Sequence, residues 1–254
     1  TMNSDLSIIV LTKNEADNIS RSLSSVGWAD EVILLDCSTD DTIAIAKKIC
    51  SANRLRIVNT PHVNDFASLR NLGLELARNE WVFFLDADEE IPPELSQEIR
   101  EAITNKHKSG YLVKRKDYFL GKTLRYGETA GVKLLKLGRK SAGNWRRRVH
   151  EVWDIKGEIG ELEASLLHFP HPTVSEFLSR INRWTTLDAQ EFHVQGGRSG
   201  YFKILIYPQA KFFVNFIVKR GFLDGFPGLV MAVMMSFHSF LTRAKLYMLQ
   251  KSQK

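Results

Sequence analysis

Cysteine is nearly absent: of 254 residues only Cys37 and Cys50 carry a thiol, and neither belongs to a CxxC or Cys/His cluster. That excludes a disulfide framework and a thiolate metal site, and two free thiols point to a reducing, cytoplasmic setting. There is no GxxxxGK[ST] loop and no GxGxxG, so neither a P-loop nucleotidase nor a dinucleotide oxidoreductase has its phosphate cradle. Any nucleotide must be held by side chains and a metal instead. The opening TMNSD is polar and lacks a basic start, so no signal peptide is expected there. Long repeats and low-complexity linkers are also missing.

Acid is scarce in one region. Residues 200–254 hold eight Lys and Arg against a single acid, Asp224, while the formal net charge of the whole chain is only +6. The basic character therefore lies in the tail and the body is nearly neutral, which argues against a nucleic-acid-binding body. Within the tail, the uncharged run from Gly225 to Thr242 is 18 residues long but contains Pro227, two glycines and His238. It is at the lower limit for a spanning helix and poorly suited to one. Helices lying in the interface of an anionic membrane, or packing on the rest of the chain or a partner subunit, fit better. A tail that merely completes the core is the plainer alternative.

What is present, at 44% hydrophobic and 25% charged residues, is an ordinary globular composition. Apolar runs SIIVLT (7–12), EVILLD (31–36), LRIVNT (55–60) and WVFFLD (81–86) alternate with helical stretches at 15–26, 40–52, 66–78 and 92–105. Continuous apolar strands separated by single helices predict an α/β fold with a mostly parallel sheet covered on both faces. Residues 110–168 carry short strand-like runs (GYLVKR, GVKLLKLG, RRVHEVW, LEASLLHF) that suggest antiparallel additions. Helical periodicity returns from Thr173, with breaks near 196–200 and 221–228. The expected division is a domain over 1–170 and a helical region over 171–254.

In such a sheet, ligands bind beyond the carboxyl ends of the strands. Those ends are polar here: Thr12-Lys13-Asn14-Glu15, Asp36 with Ser38-Thr39-Asp40-Asp41 beyond it, and Asp86-Ala87-Asp88-Glu89-Glu90. Capping explains one such end more easily than three. Asp86 and Asp88 share a face of extended chain, and two close carboxylates repel unless a proton or cation intervenes. Mg²⁺ or Mn²⁺ typically takes one or two carboxylates and leaves the remaining positions to substrate phosphates. Asp36 suits a hydrogen bond from a base such as uracil. Arg70 suits a phosphate, or else is an exposed helix residue paired with Asp65 or Glu75. Glu89 and Glu90 are expected at the N-terminus of the next helix. Arg146-Arg147-Arg148 read either as a solvated face or as a site for phosphates.

Taken together, residues 12–42, residues 66–95 (FASLRNLGLELARNEWVFFLDADEEIPPEL) and RVHEVW (148–153) resemble glycosyltransferase family 2 of the GT-A fold. The nearest likeness is to small bacterial enzymes that glucosylate the lipopolysaccharide or lipooligosaccharide core. The resemblance is strong over 5–100, moderate to 170 and loose in the tail. It implies an inverting, single-displacement transfer, most readily of glucose from UDP-glucose to a surface glycolipid, at the inner face of the cytoplasmic membrane. It places Thr12, Asn14, Glu15 and Ser38 along the nucleotide pocket, Asp36 on the base, and Arg70 near the diphosphate. Asp86 falls on the ribose and metal side, with Asp88 as main metal ligand. The acceptor base falls to Glu151, with Asp154 the runner-up and His150 orienting the cleft. Cys37 is a departure, since many relatives have glycine after the strand-end Asp. Two other readings compete: a sugar nucleotidyltransferase, which should have a glycine-rich basic loop in place of TKNEAD, and a non-catalytic membrane-surface module.

Overall fold

The computed structural model describes residues 5–61, 65–147, 151–170 and 173–252. Contacts divide the chain into two units: residues up to 115 with 132–168, and residues 116–131 with those from 169 onward.

The first unit opens with β1 (Leu6–Thr12), α1 (Ile19–Ser24), β2 (Glu31–Asp36), α2 (Thr42–Ile49), β3 (Leu55–Asn59), α3 (Phe66–Leu76) and β4 (Trp81–Asp86). β5 (Glu89–Glu90), α4 (Pro93–Ala102) and β6 (Lys108–Phe119) follow. The last residues of β6 and the short β7 (Lys122–Thr123) belong to the second unit. β8 (Lys133–Arg139), β9 (Gly143–Arg146), β10 (Val152–Ile155) and β11 (Glu158–His168) complete the first.

The main sheet runs in the order β3-β2-β1-β4-β8-β6-β11-β5. β1 is parallel to β2 and β4, and β2 to β3. β8 is antiparallel to β4 and β6, and β5 to β11, so the expected additions are present. Side-chain alternation sorts the core into two faces. Ile8, Val10, Leu34, Phe83 and Leu85 pack with Ile19, Leu23, Ala46, Leu95 and Ile99 of the helices. Ile9, Ile33, Leu35, Val82 and Phe84 pack with Leu74 of α3 and Trp153 of β10. The helix α1 is shorter than its sequence pattern suggests, because the amides of Glu15 and Ala16 donate to Thr42 Oγ1 and Asp40 Oδ2. Side-chain acceptors of this kind compete with helical hydrogen bonds.

In the second unit, α5 (Val174–Val194) and α7 (Phe226–Ser252) enclose a core of Phe119, Leu124, Phe177, Ile181, Met231 and Met234, and α6 (Tyr201–Phe213) packs on α7 with no buried residue of its own. α6 and α7 run antiparallel: the Tyr201 and Tyr247 rings lie 5.2 Å apart and Ser236 donates to the Pro208 carbonyl. Residues 116–131, expected within the first domain, join this unit because Phe119 and Leu124 enter its core. Asp224 fixes them, accepting the amides of Arg125 and Tyr126 at 2.9 and 2.8 Å.

One buried acid marks the amino-terminal edge of the sheet. Glu31 accepts Ser7 Oγ at 2.6 Å and both the amide and Nε of Arg78 at 2.8 Å. Burial pushes its carboxyl upward, but the hydrogen bonds and charge of these donors leave it below the ordinary range. A depressed native pKa contributes stability above the unfolded value, about 4.3, that is lost as acid protonates the folded group. Glu31→Gln should cost about 1–3 kcal/mol at neutral pH, and its deficit should shrink as pH falls below 4.3, measured by urea unfolding across pH.

Candidate active site

The ends of β1 and β2 form one cross-linked edge. Thr12 and Asp36 are register partners, and the Asp36 carboxylate accepts Thr12 Oγ1 and Ser38 Oγ at 2.6 Å each and the Ser38 amide at 3.0 Å. An ionised carboxylate has about four lone-pair positions, so one on Oδ2 remains for a donor such as a base N–H. Asn14 is left-handed (φ 55°). Its amide donates to Ser38 Oγ at 2.8 Å, and its Oδ1 accepts the Thr39 amide at 2.8 Å. The Cys37 amide donates to the Thr12 carbonyl at 3.2 Å, and Cys37 is not among the positive-φ residues. The strand end therefore needs no glycine there.

The end of β4 holds a feature that the sequence reading did not anticipate. Lys136, on β8 and only 5% exposed, places its ammonium 2.8 Å from Asp86 Oδ2 and 2.7 Å from Glu89 Oε2. Glu89, 0% exposed, also accepts the Asp86 amide at 2.9 Å. The expectation that Glu89 serves the N-terminus of the next helix is thus corrected: it lies in β5, opposite His168, and α4 begins at Pro93. Burial acts on all three groups. It would raise the Asp86 carboxyl, but Lys136 and then Arg70 hold it far below the carboxylate range. For Glu89, burial, reinforced by Asp86, outweighs Lys136 and shifts the carboxyl upward. Burial opposes the Lys136 charge, yet the two carboxylates raise its pKa.

Arg70 continues the chain of charges. Its guanidinium lies 3.4 Å from Asp86 Oδ1 and 3.4 Å from Glu151 Oε1, over the Trp145 ring at 4.6 Å from its centroid. Neither Asp65 nor Glu75 is its partner. Asn71, the next residue on α3, exchanges two hydrogen bonds with the Trp145 backbone, at 3.0 and 2.8 Å. Trp145 stacks on Trp153 (centroids 5.5 Å apart), and both meet Phe84 edge-on at 5.0 Å. This aromatic cluster holds the β9–β10 pair against α3 and brings Glu151 to the strand-end site.

Asp154 points elsewhere: its carboxylate pairs with Arg146 at 2.9 Å on an exposed face. That arrangement separates the runner-up base from the Arg70–Glu151 pair and engages Arg146 locally. Arg147 is exposed with φ 68°, and Arg148 and His150 lie outside the described residues. Asp88, nearly buried, faces His168 of β11, with Oδ2 3.6 Å from Nε2. Two ligands of one octahedral ion at 2.0–2.1 Å stand about 3 Å apart, so small movements let this pair share a cation. Among the described residues no three His, Cys, Asp or Glu side chains gather to hold an ion.

Sequence reasoning missed Lys136 and His168. A lone cation inside LLKLG and a histidine ending LLHF were the available signals, but only the strand order reveals what they meet.

The sequence pattern of Glycosyl transferase family 2 matches residues 7–154. A glycosyltransferase of Rickettsia felis is 26% identical over 260 residues, 95% of this chain and 89% of the relative. The lipopolysaccharide core biosynthesis glycosyltransferase LpsC of Rhizobium meliloti is 26% identical over 249 residues, 95% of this chain and 92% of the relative. Among solved structures, S. aureus TarS 1-349 in complex with UDP-GlcNAc superposes with a TM-score of 0.54 at 17% identity, covering 98% of this chain and 92% of that one. That likeness is one of fold.

Removing Lys136 strands two acids. Lys136→Met should destabilise the protein by about 3–5 kcal/mol, and adding Glu89→Gln should recover part of the loss in denaturant unfolding. If Lys136→Met is neutral, the ammonium does not hold this strand end together.

Proposed function

We propose, from the premise that the chain belongs to glycosyl transferase family 2, that it transfers a hexose, with UDP-glucose the first candidate donor, to a bacterial surface glycolipid such as the lipopolysaccharide inner core. The observation that carries the mechanism is the placement of Glu151, held through Arg70 to Asp86 at the strand-end edge. The full-length similarity to LpsC supports the acceptor class, and the family match displaces the nucleotidyltransferase alternative.

In this reading Asp36 receives a base N–H on its remaining lone pair, within the edge formed by Thr12, Asn14, Glu15 and Ser38. Glu151 accepts the proton of the acceptor hydroxyl as that oxygen bonds to the anomeric carbon. The bond from that carbon to the diphosphate oxygen breaks on the opposite face, its electron pair leaves with UDP, and the configuration inverts. A carboxylate beside the anomeric carbon also favours the positive charge that develops there. Asp88 and His168 would hold Mg²⁺ or Mn²⁺, whose contribution when bound is to neutralise the leaving diphosphate. Asp86 has both oxygens engaged by Lys136 and Arg70, so its part is to position Arg70 more than to bind metal.

Arg146 and its neighbours remain candidates for acceptor phosphates, by exchange of the exposed Asp154 pair. The reading places the protein in the cytoplasm, peripheral at the inner face of the membrane. Among the described residues no helix is long and apolar enough to cross one.

The test is UDP release from UDP-glucose, UDP-galactose and UDP-GlcNAc, with and without Mn²⁺. Glu151→Gln should lower turnover by about 10²–10⁴-fold with UDP binding unchanged, while Asp88→Asn should abolish the response to metal. Full activity in Glu151→Gln would move the base elsewhere.

A further inference from the structure

The α6–α7 hairpin exposes what a core would bury. α6 contains no buried residue, and Phe202 near its start is 73% exposed. On α7, Phe226, Leu229, Val233, Phe237 and Phe240 recur at three- and four-residue intervals, which is one helical face, and all five are exposed. The turn between the helices adds exposed Ile217, Val218, Phe222 and Leu223, with Phe226 69% exposed. Lys219 and Arg220 stand in the same turn, both exposed.

Charge decides what covers this surface. Asp224 is the one acid in residues 200–254. It is only 2% exposed, with its carboxylate bound to the Arg125 and Tyr126 amides. The outward charge of the turn is therefore cationic only. Large apolar patches on soluble proteins mark contact surfaces. A second copy is a poor occupant, since an isologous contact would meet the turn's cations with a patch whose one acid, Asp224, is already buried. An anionic lipid surface meets both requirements, as aromatic and aliphatic side chains enter the acyl boundary while Lys and Arg stay at the phosphates.

We propose that the 217–226 turn and the outward faces of α6 and α7 seat in the interfacial layer of an anionic membrane. Phe222, Leu223 and Phe226 enter the acyl boundary, and Lys219 and Arg220 bind lipid phosphates. The proposal deepens the membrane-side location given above but needs none of its chemistry. Vesicle binding is measured without nucleotide, so either reading can fail alone.

The experiment is co-sedimentation of the full chain with phosphatidylcholine vesicles, alone or mixed equally with phosphatidylglycerol, and free phosphate as competitor. The chain should pellet only with the mixed vesicles, free phosphate should not release it beyond an equal rise in ionic strength, and Phe222→Trp should shift its emission to the blue. The triple variant Phe222→Ser, Leu223→Ser, Phe226→Ser should bind at least about tenfold more weakly, since burial of each such side chain is worth more than a tenfold factor. Lys219→Gln and Arg220→Gln should each weaken binding about fivefold, and circular dichroism should show all variants folded. Three results would overturn the proposal: no pelleting with anionic vesicles, pelleting indifferent to these substitutions, or a dimer in light scattering that the triple variant dissolves.

Discussion

A single buried ammonium sets the terms for the strand-end site. Lys136 joins the end of β4, the short β5 and its own strand β8 through Asp86 and Glu89. Taking such charges out of water costs several kcal/mol per ion, even after relaxation. The arrangement holds only if β8 lies beside β4 in one register. A slip of one residue would turn Lys136 to the opposite face and leave two acids without their cation. Lys136 is thus a constraint on topology as much as a stabilising contact.

From that point the order passes outward through Arg70 to Glu151. The guanidinium has two carboxylates to satisfy and an indole beneath it. The indole is in turn fixed by Asn71 and by its contacts with Trp153 and Phe84. Aromatic pairs of this kind add roughly 0.5–1.5 kcal/mol each beyond buried area, and here they also determine where Glu151 stands. Apolar packing on one face of the sheet therefore positions a polar residue at its edge.

The parallel half of the sheet was legible because its strands are uninterrupted apolar runs separated by single helices, a pattern that needs no long-range information. The strand ends were legible as a group for the same reason: Thr12, Asp36 and Asp88 follow directly from where each run stops. Lys136, His168 and the true setting of Glu89 were not. Each derives its meaning from a strand distant in sequence, and an antiparallel register cannot be read from one chain. The second unit shows the same limit, since Phe119 and Leu124 look like part of a strand until the helices that enclose them are seen.

The balance of charge bears on how the site would receive a diphosphate. Lys136 lies between Asp86 and Glu89, and Arg70 between Asp86 and Glu151. No cation of this chain of contacts is left uncompensated for an incoming anion. Moving Arg70 onto a phosphate would take its charge from both Asp86 and Glu151. On the proposed reading, the added negative charge would be met by a cation held at Asp88 and His168, whose facing atoms are near a shared-ligand separation. Arg70 then keeps its place beneath the base, and its contact with Asp86 remains when Glu151 takes up the proton and loses its charge.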